Sequence, residues 1–363
     1  MVVMCDYAKI KAEILCWGLR KSPAAENIFL EQHPTLHKRT GNAGIQLLLE
    51  SGLVLNAIYG EDFCEKSPYH IEKENGSIRI YKNRELVCIC AAIKAPEWYA
   101  KRTRGGYFMA DIILQEGRDT LITGIWNNCC YYQNGTQCRF CVFGYEKGIE
   151  RKSIGNIVET LQAALKEKSG YHLHMTGGNT FGVDRGIQYY QDYIKKIRGT
   201  IIASLPISLE VSPPEDIKYL DDIIDSGVNG FSINIEVWDE ERRKEICPGK
   251  SKIKRDDYFK AWRRVSERLG RFTSSSVIIV GLDRAENIEE GIKELVKMGI
   301  KPTLIPFRPF GRCDLKDLPS ADPKEFFELS MTAGKLLAEA GAESNSFLGC
   351  EHCGACSLEK DLM

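Results

Sequence analysis

The residues best suited to chemistry lie in one stretch that packs four cysteines into thirteen residues. They are Cys129, Cys130, Cys138 and Cys141, and we call the stretch 129–141 the cysteine loop. Thiolates this close together in an intracellular protein usually hold a metal. The pair in Cys138-Arg-Phe-Cys141, with one cysteine upstream, suits an iron–sulfur cluster on three thiolates, which leaves one iron free to bind a substrate or cofactor. A zinc knuckle is the alternative, although zinc requires four ligands and the nearby sequence offers no obvious histidine.

The identity of the first thiolate is left open by the spacing. Seven residues separate Cys130 from Cys138, and eight separate Cys129 from it. A loop of either length can return its sulfur to the cluster, because Asn134-Gly135 permits a tight turn. We favour Cys129.

A second group of cysteines, which we call the tail motif, consists of Cys350, Cys353 and Cys356. Their x2 spacing suits an auxiliary iron–sulfur cluster, for which Cys313 is a candidate fourth ligand. Zinc is the rival metal, because His352 lies within the motif and Cys3His sites are common.

Cysteine usage and charge define the class of protein. Seven of the fourteen cysteines fall into these two groups, which is the clustering of metal ligands and not the spacing of a disulfide framework. Most of the others are expected to be small buried hydrophobes: Cys5, Cys16, Cys64, Cys88, Cys90, Cys247 and Cys313. Lys and Arg (49) nearly balance Asp and Glu (50), so neither nucleic acid nor an anionic membrane is predicted as a partner. With no secretory signal and no apolar run of about 20 residues, we expect a cytoplasmic protein without a membrane partner.

From Thr120 onward, apolar strand-like runs alternate with helical patterns, which is typical of parallel βα units. The predicted strands are 121–126, 172–176, 207–211, 230–237, 276–281 and 301–307. The predicted helices are 153–168, 184–197, 215–226, 240–247, 256–269, 285–298 and 324–340. Six units make an α/β fold that is a partial (β/α)6 barrel of the TIM type, whose chemistry lies at the carboxyl ends of the strands.

The chain is expected to divide into three parts. Residues 1–118 form a small α+β N-terminal module, 119–320 the partial barrel, and 321–363 a closing helix with the tail motif. Within the module we predict helices at 8–19 and 44–55, a hairpin at Asn75-Gly76 and a third strand at 86–93.

Several motifs together resemble the radical S-adenosylmethionine (SAM) superfamily. The common features are the cysteine loop after the first strand, the closing Cys-x-aromatic-Cys and Gly177-Gly178 after the second strand. The later motifs are most similar to the biotin-synthase branch, and closer still to an uncharacterised subgroup encoded beside nitrilase-type genes. That subgroup's features here are Cys138 to Gly144, Thr176 to Thr180 with Asp184-Arg185-Gly186, Pro248-Gly249-Lys250, Val280-Gly281-Leu282 and Gly349 to Cys356. The resemblance covers roughly 115–358, and the chain departs from the common Cys-x3-Cys-x2-Cys motif in its longer first interval.

The resemblance implies a [4Fe-4S] cluster whose open iron chelates SAM. An electron from a donor such as flavodoxin or ferredoxin would then cleave SAM to methionine and a 5′-deoxyadenosyl radical that acts on a small molecule. The cofactor contacts it implies, together with those expected from strand-end position, are Phe140, Gly177, Gly178, Glu210, Asn234, Glu236 and Gly281. For Phe140, core packing is an equally good interpretation, and for the glutamates, internal salt bridges. Arg308 is a candidate for binding a substrate carboxylate or for pairing with a glutamate.

Two classes of function follow from these residues. The first is a radical SAM enzyme of unassigned substrate and reaction. The alternative is a non-catalytic scaffold protein that binds zinc or an iron–sulfur cluster.

Overall fold

The computed structural model describes residues 2–33, 44–143, 149–168, 170–200, 204–343 and 348–363. Its larger part is a seven-stranded sheet in the order β12-β11-β10-β9-β8-β7-β6. The strands are β6 (Leu114–Glu116), β7 (Thr120–Trp126), β8 (His172–Gly177), β9 (Ile207–Glu210), β10 (Gly230–Ser232), β11 (Ser275–Val280) and β12 (Lys301–Pro306). Strands β7 to β12 are all parallel and stand in chain order, which confirms the partial (β/α)6 barrel. The antiparallel strand β6 at one edge was not predicted.

Helices connect the parallel strands along the outside of the sheet. They are α5 (Ile154–Glu167), α6 (Gln188–Thr200), α7 (Lys218–Asp225), α8 (Glu240–Ile246), α9 (Arg255–Leu269), α10 (Ala285–Lys297) and α11 (Pro323–Glu339). Ser153 is the N-cap of α5, as predicted, and accepts a hydrogen bond from the Asn156 N–H. In α10, the buried Ile288, Ile292 and Leu295 recur at helical spacing, so one face packs on the sheet.

Two element boundaries differ from the prediction because of backbone conformation. Strand β10 ends at Ser232 instead of 237, and Glu236 has a φ of 71°, so the backbone turns away from regular pairing. Helix α6 begins at Gln188 instead of 184, because Arg185 and Gly186 both have positive φ.

The N-terminal module is an antiparallel sheet in the order β2-β1-β5-β4-β3, covered by two helices. Its elements are α1 (Val2–Trp17), α2 (Pro23–Gln32), β1 (Gly44–Leu49), β2 (Val54–Ile58), β3 (Tyr69–Glu74), β4 (Ser77–Lys82) and β5 (Glu85–Ala92). The hairpin at Asn75-Gly76 is confirmed, with φ of 49° and 80°. The helix predicted at 44–55 is wrong: the segment forms the β1–β2 hairpin. Gly52, at φ 89°, makes the turn, and apolar residues on both faces of the strands had imitated helical spacing.

The module packs against both edges of the barrel sheet. On one side, Gln46 of β1 donates through Nε2 to the Gln115 carbonyl of β6 (3.1 Å). On the other, α1 packs against α11, and the Gly311 N–H donates to Glu61 (3.2 Å). Apolar residues of both parts belong to one continuous core.

In the parts of the chain that the structure describes, we find no helix with the length and apolar content to cross a membrane.

Candidate metal and cofactor sites

The cysteine loop follows the carboxyl end of β7 and folds back as a compact turn. Its first residues form the short helix α4 (Cys130–Gln133), with Cys129 at the N-cap. Gly135, at φ 64°, then reverses the chain. The Cys141 N–H donates to the Cys138 carbonyl (2.9 Å), and the Tyr132 hydroxyl donates to the Cys141 carbonyl. The residues between Cys129 and Cys138 therefore form one helical turn and one reversal of the chain. Gly144, the last residue of the motif, lies outside the described residues.

Two neighbouring segments fix this loop. A Cβ on Gly178 would lie 2.6 Å from the Cys129 Cα, so only glycine allows this approach. The Cys130 N–H donates to the Asn179 carbonyl (2.8 Å). On the other side, Gly249 donates to the Thr136 carbonyl (2.9 Å) and has room for no Cβ, which would meet the Tyr131 ring at 2.4 Å.

The loop thiols differ in what surrounds them. A hydrogen bond with Cys130, opposed by burial, lowers the pKa of Cys129 to about 6, and the charge of Lys250 lowers it further. The hydrogen bond with Cys129 and burial raise the pKa of Cys130, and the charge of Arg185 opposes this rise. A hydrogen bond with Cys247, together with burial, raises the pKa of Cys138, which also lies within the influence of Lys250. The loop thiols also differ in exposure, because Cys129, Cys138 and Cys141 are partly exposed and Cys130 is buried.

Burial and the charge of Glu236 raise the pKa values of both Cys138 and Cys141. Burial raises the pKa of Cys141 to about 12, and Cys138 and Glu236 add to that rise. Among the described residues, no three Cys, His, Asp or Glu side chains already converge as a metal site. The donor set nevertheless fits an iron–sulfur cluster, because three thiols stand on one loop whose approach to Gly178 excludes any side chain there.

A buried ion pair lies beside these thiols. Lys250 Nζ is 2.6 Å from Glu236 Oε1, and the two side chains are only 10% and 12% exposed. Burial alone would lower the pKa of Lys250, but the charge of Glu236 raises it well above its usual value. Lys250 was not among the predicted site residues, although Pro248-Gly249-Lys250 was visible as a motif. Glu236 holds its left-handed backbone at the end of β10, the kind of strain that concentrates at functional sites.

Deeper in the barrel, Glu210 is surrounded by hydrogen-bond donors. Asn234 Nδ2 donates to Glu210 Oε1 (3.0 Å), and His174 Nε2 lies 3.8 Å from Oε2. Burial raises the pKa of Glu210, but the hydrogen bond and charge of His174 outweigh it, so the pKa is lowered. Although Glu210 lies within the barrel, 39% of its side chain is accessible, so the carboxylate faces an internal space. Sequence reasoning missed His174, because a histidine within a buried strand carries no local signal.

The remaining predicted cofactor contacts, Phe140, Gly177 and Gly281, each pack against other residues of the protein. Phe140 packs in an apolar cluster with residues that include Val142 and Cys247. Gly177 faces the Tyr190 hydroxyl, 3.0 Å from where a Cβ would stand. Gly281 has a φ of 93° and lies against Ala321.

Arg308 is only 6% exposed. Its Nε and Nη1 have no hydrogen-bond partner, and within the described ranges it forms no ion pair. The expected pairing of Arg308 with a glutamate is therefore not observed in those ranges.

The tail motif lies at the opposite, amino-terminal end of the barrel strands. It begins in α12 (Gly349–Cys353), whose Gly349 fits against His174 and Ser208 with no room for a Cβ. Glu351 accepts hydrogen bonds from Ser275 (2.6 Å) and Thr303 (3.1 Å), which extend from β11 and β12. The segment therefore forms the floor of the barrel.

The candidate fourth ligand Cys313 is not with the tail motif. It packs in the apolar cluster with Val142 and Cys247, at the end of the barrel that carries the cysteine loop. That expectation is wrong, because the chain after β12 turns toward the cysteine loop before it returns along α11.

The tail thiols are close enough to influence one another. Burial raises the pKa of Cys350 well above its usual value, and Glu351, Glu210 and the other two thiols add to it. His352 has the surroundings of a metal-bound histidine: Nε2 lies 2.9 Å from Asp119 Oδ1, and the buried Nδ1 has no partner. The donor set therefore fits a metal as well.

Comparison with known proteins bears on these sites. Residues 128–307 match the family described as the Radical SAM superfamily. The chain is 27% identical over 303 residues to the bacteriochlorophyllide c C-7(1)-hydroxylase of Chlorobaculum limnaeum, across 77% of this chain and 75% of the relative.

Solved structures with a similar fold include methylornithine synthase, at 16% identity and a TM-score of 0.48 over 63% of this chain and 64% of that one. Another is the FeFe-hydrogenase maturase HydG of Carboxydothermus hydrogenoformans, at 13% identity and a TM-score of 0.47 over 64% and 54% of the two chains. Less than two thirds of each of those solved chains is matched.

Proposed function

We propose that Cys129, Cys138 and Cys141 hold the [4Fe-4S] cluster of this chain, which belongs to the radical SAM superfamily and is an enzyme. When bound, the cluster and SAM supply reductive cleavage to methionine and a 5′-deoxyadenosyl radical, which acts on a small molecule. The observation that carries this choice is that Cys129, Cys138 and Cys141 are partly exposed, whereas Cys130 is buried.

The residues around the loop orient the cofactor. Gly178 lets its own backbone pack closely against that of Cys129, and the Lys250–Glu236 ion pair places fixed charges of both signs beside the thiols. Glu210 and Asn234 provide polar groups in the interior, where an unpaired charge would be costly. The full proposed set of SAM contacts is Phe140, Gly177, Gly178, Glu210, Asn234, Glu236 and Gly281.

Arg308 is proposed to contact the substrate. Its guanidinium is buried and lacks partners for two nitrogens, and a buried cation of this kind requires an anionic or polar group. A substrate carboxylate would supply the charge-assisted acceptor that this guanidinium lacks.

The tail motif is proposed to hold an auxiliary iron–sulfur cluster or zinc on Cys350, Cys353 and Cys356. The unpartnered Nδ1 of His352 supports the histidine as a fourth ligand through that atom. Asp119 on the opposite ring nitrogen would fix the required tautomer.

The cellular setting is proposed from the family alone. We infer a cytoplasmic enzyme of the biotin-synthase branch, in the subgroup encoded beside nitrilase-type genes. Flavodoxin or ferredoxin would supply the electron.

Anaerobic reconstitution tests the proposal. Full-length protein given iron, sulfide, dithionite and SAM should form 5′-deoxyadenosine, measured by chromatography. Cys129→Ala should abolish the product and Cys130→Ala should retain it. The two variants are matched controls, because they differ by one position in the same loop.

Two outcomes would contradict the proposal. Product from both variants would mean that the assignment of three thiolates is wrong. Tight zinc, with no brown chromophore and no 5′-deoxyadenosine in the wild-type protein, would favour the non-catalytic scaffold.

A further inference from the structure

The N-terminal module makes three hydrogen bonds to the chain that carries the tail motif. Asn56 of β2 donates through Nδ2 to Cys356 Sγ (3.4 Å). The Asn56 backbone N–H donates to the Ala355 carbonyl (2.9 Å). Lys11 of α1 donates to the Gly354 carbonyl (2.7 Å). Residues 354–356 are thus held by a sheet and a helix that lie some three hundred residues earlier in the chain.

The burial of these donors shows that the contact is built into the fold. Asn56 is 1% exposed and Lys11 is fully buried. A buried ammonium requires a counter-charge, and Asp361 Oδ2 supplies it at 2.5 Å from Lys11 Nζ. Lys11 therefore joins α1 to the chain on both sides of the last tail cysteine.

A second thiol of the motif is positioned by the module less directly. Gly117, in the turn between β6 and β7, lies so close to Cys353 that a Cβ would stand 2.9 Å from the sulfur. The Gly117 N–H donates to Gln46 Oε1 of β1 (2.6 Å), which fixes that turn. Strands β1 and β2 thus border Cys353 and Cys356, respectively.

The chemistry of the Asn56 contact points to a metal-bound sulfur. A neutral thiol is a weak acceptor, whereas an ionised group makes hydrogen bonds that are shorter and stronger. A buried amide N–H directed at a sulfur is therefore best matched by a thiolate. In iron–sulfur proteins, hydrogen bonds to the sulfurs help to set the reduction potential.

We propose that the N-terminal module is part of the tail metal site, with Asn56 as a positioning residue that donates to the Cys356 thiolate. The inference rests on the proposed metal at the tail motif. It gives the module a role, because without β2 and α1 the third thiolate would lose both its hydrogen bond and its fixed backbone.

The test compares Asn56→Leu with Ser22→Ala, both in full-length protein that carries Cys138→Ser, so that the remaining metal reports on the tail site. Ser22 is the control because it stabilises the same module away from α1, β1 and β2: its hydroxyl accepts the Ala25 N–H (3.1 Å) and donates to the Ile71 carbonyl of β3 (2.9 Å). Metal per chain and its release to a chelator are measured anaerobically. We expect Asn56→Leu to hold the metal about 10- to 100-fold more weakly, the usual effect of losing a residue that supports a ligand. Ser22→Ala should release metal as the Cys138→Ser parent does.

Retention of metal by Asn56→Leu at the parental rate would overturn the inference. So would equal loss from Ser22→Ala, because general destabilisation of the module would then explain both. If the Cys138→Ser parent holds no metal while wild-type protein still cleaves SAM, the tail site is wrong and the SAM-cleaving function stands. If the metal is iron, loss of the donor should also lower the midpoint potential of the Asn56→Leu site, which unfolding alone would not do.

Discussion

The two cysteine groups occupy opposite ends of one barrel and are built in opposite ways. The thiols of the cysteine loop lie within thirteen residues and follow a single strand, β7. The tail motif is equally compact in sequence, but its surroundings come from α1, β2, the β6–β7 turn and the floor of the barrel. The cysteine loop is held by other segments of the barrel, among them Gly178 and Gly249, whereas the tail site also depends on the N-terminal module. Substitutions in the N-terminal module should therefore leave the cysteine loop intact and disturb the tail site.

Removal of one thiolate from each site gives the largest contrast. Cys138→Ser should abolish 5′-deoxyadenosine formation, because the cluster loses a ligand that a hydroxyl replaces poorly. Cys353→Ser should retain SAM cleavage, since its sulfur lies at the other end of the strands. The product is measured by chromatography after anaerobic reconstitution. Loss of cleavage in both variants would mean that the two sites are not independent.

A methyl group at Gly178 should disable the loop site without touching a thiol. In Gly178→Ala, the new Cβ meets backbone atoms of Cys129 within 2.8 Å, so the loop must shift and most of its iron should be lost. Gly177→Ala is the control, because there the Cβ meets the Tyr190 hydroxyl at 3.0 Å and a side chain can move aside. Iron per chain is the measurement. Equal iron in the two variants would contradict the importance of the Gly178 contact.

The ion pair beside the loop should affect stability more than an exposed pair does. Lys250→Met leaves Glu236 buried without its partner and should cost about 3–5 kcal/mol in the free energy of unfolding. The double variant Lys250→Met/Glu236→Gln should recover most of that loss. Lys244→Met, which breaks an exposed pair with Glu241, should leave the free energy of unfolding nearly unchanged. Urea denaturation of the metal-free protein measures all three. No recovery in the double variant would mean that the pair is not the cause.

The floor of the barrel should give stability a dependence on pH. Burial raises the pKa of Glu359 to about 7 from its usual 4.5, and its carboxylate accepts the Leu304 N–H (2.9 Å). The folded state therefore binds more protons than the unfolded state between these values, so the free energy of unfolding falls as pH rises from about 4.5 to about 7. The fall should be on the order of 1–3 kcal/mol. Urea denaturation from pH 4.5 to 8 measures it, and Glu359→Gln should flatten the curve. An unchanged slope in that variant would assign the effect to other groups.

The sequence predicted best those features that neighbouring residues determine. Ser153 marked the start of α5, and Asn75-Gly76 marked a hairpin, because capping and turn chemistry act over a few residues. The segment 44–55 was misassigned, since apolar residues on both faces of a strand carry no clear period.

The surroundings of the candidate sites were harder to predict. The partners of Lys250 and Asn56 depend on contacts over 14 and 300 residues, respectively, and no local pattern records such contacts. The same limitation explains why Cys313 was assigned to the tail motif when it packs near the cysteine loop. Spacing along the chain identified the thiols but not the end of the barrel at which they stand.

The ion pair between Lys11 and Asp361 also has a consequence for biosynthesis. The two residues are separated by 350 positions, so α1 emerges from the ribosome long before its partner exists. At about 5–20 residues per second, the interval is roughly 20 to 70 s. During that time the lysine has no counter-charge and the amino end of the barrel has no floor. We therefore expect the tail site to take its final form only after residue 361 has been added, long after the cysteine loop has left the ribosome.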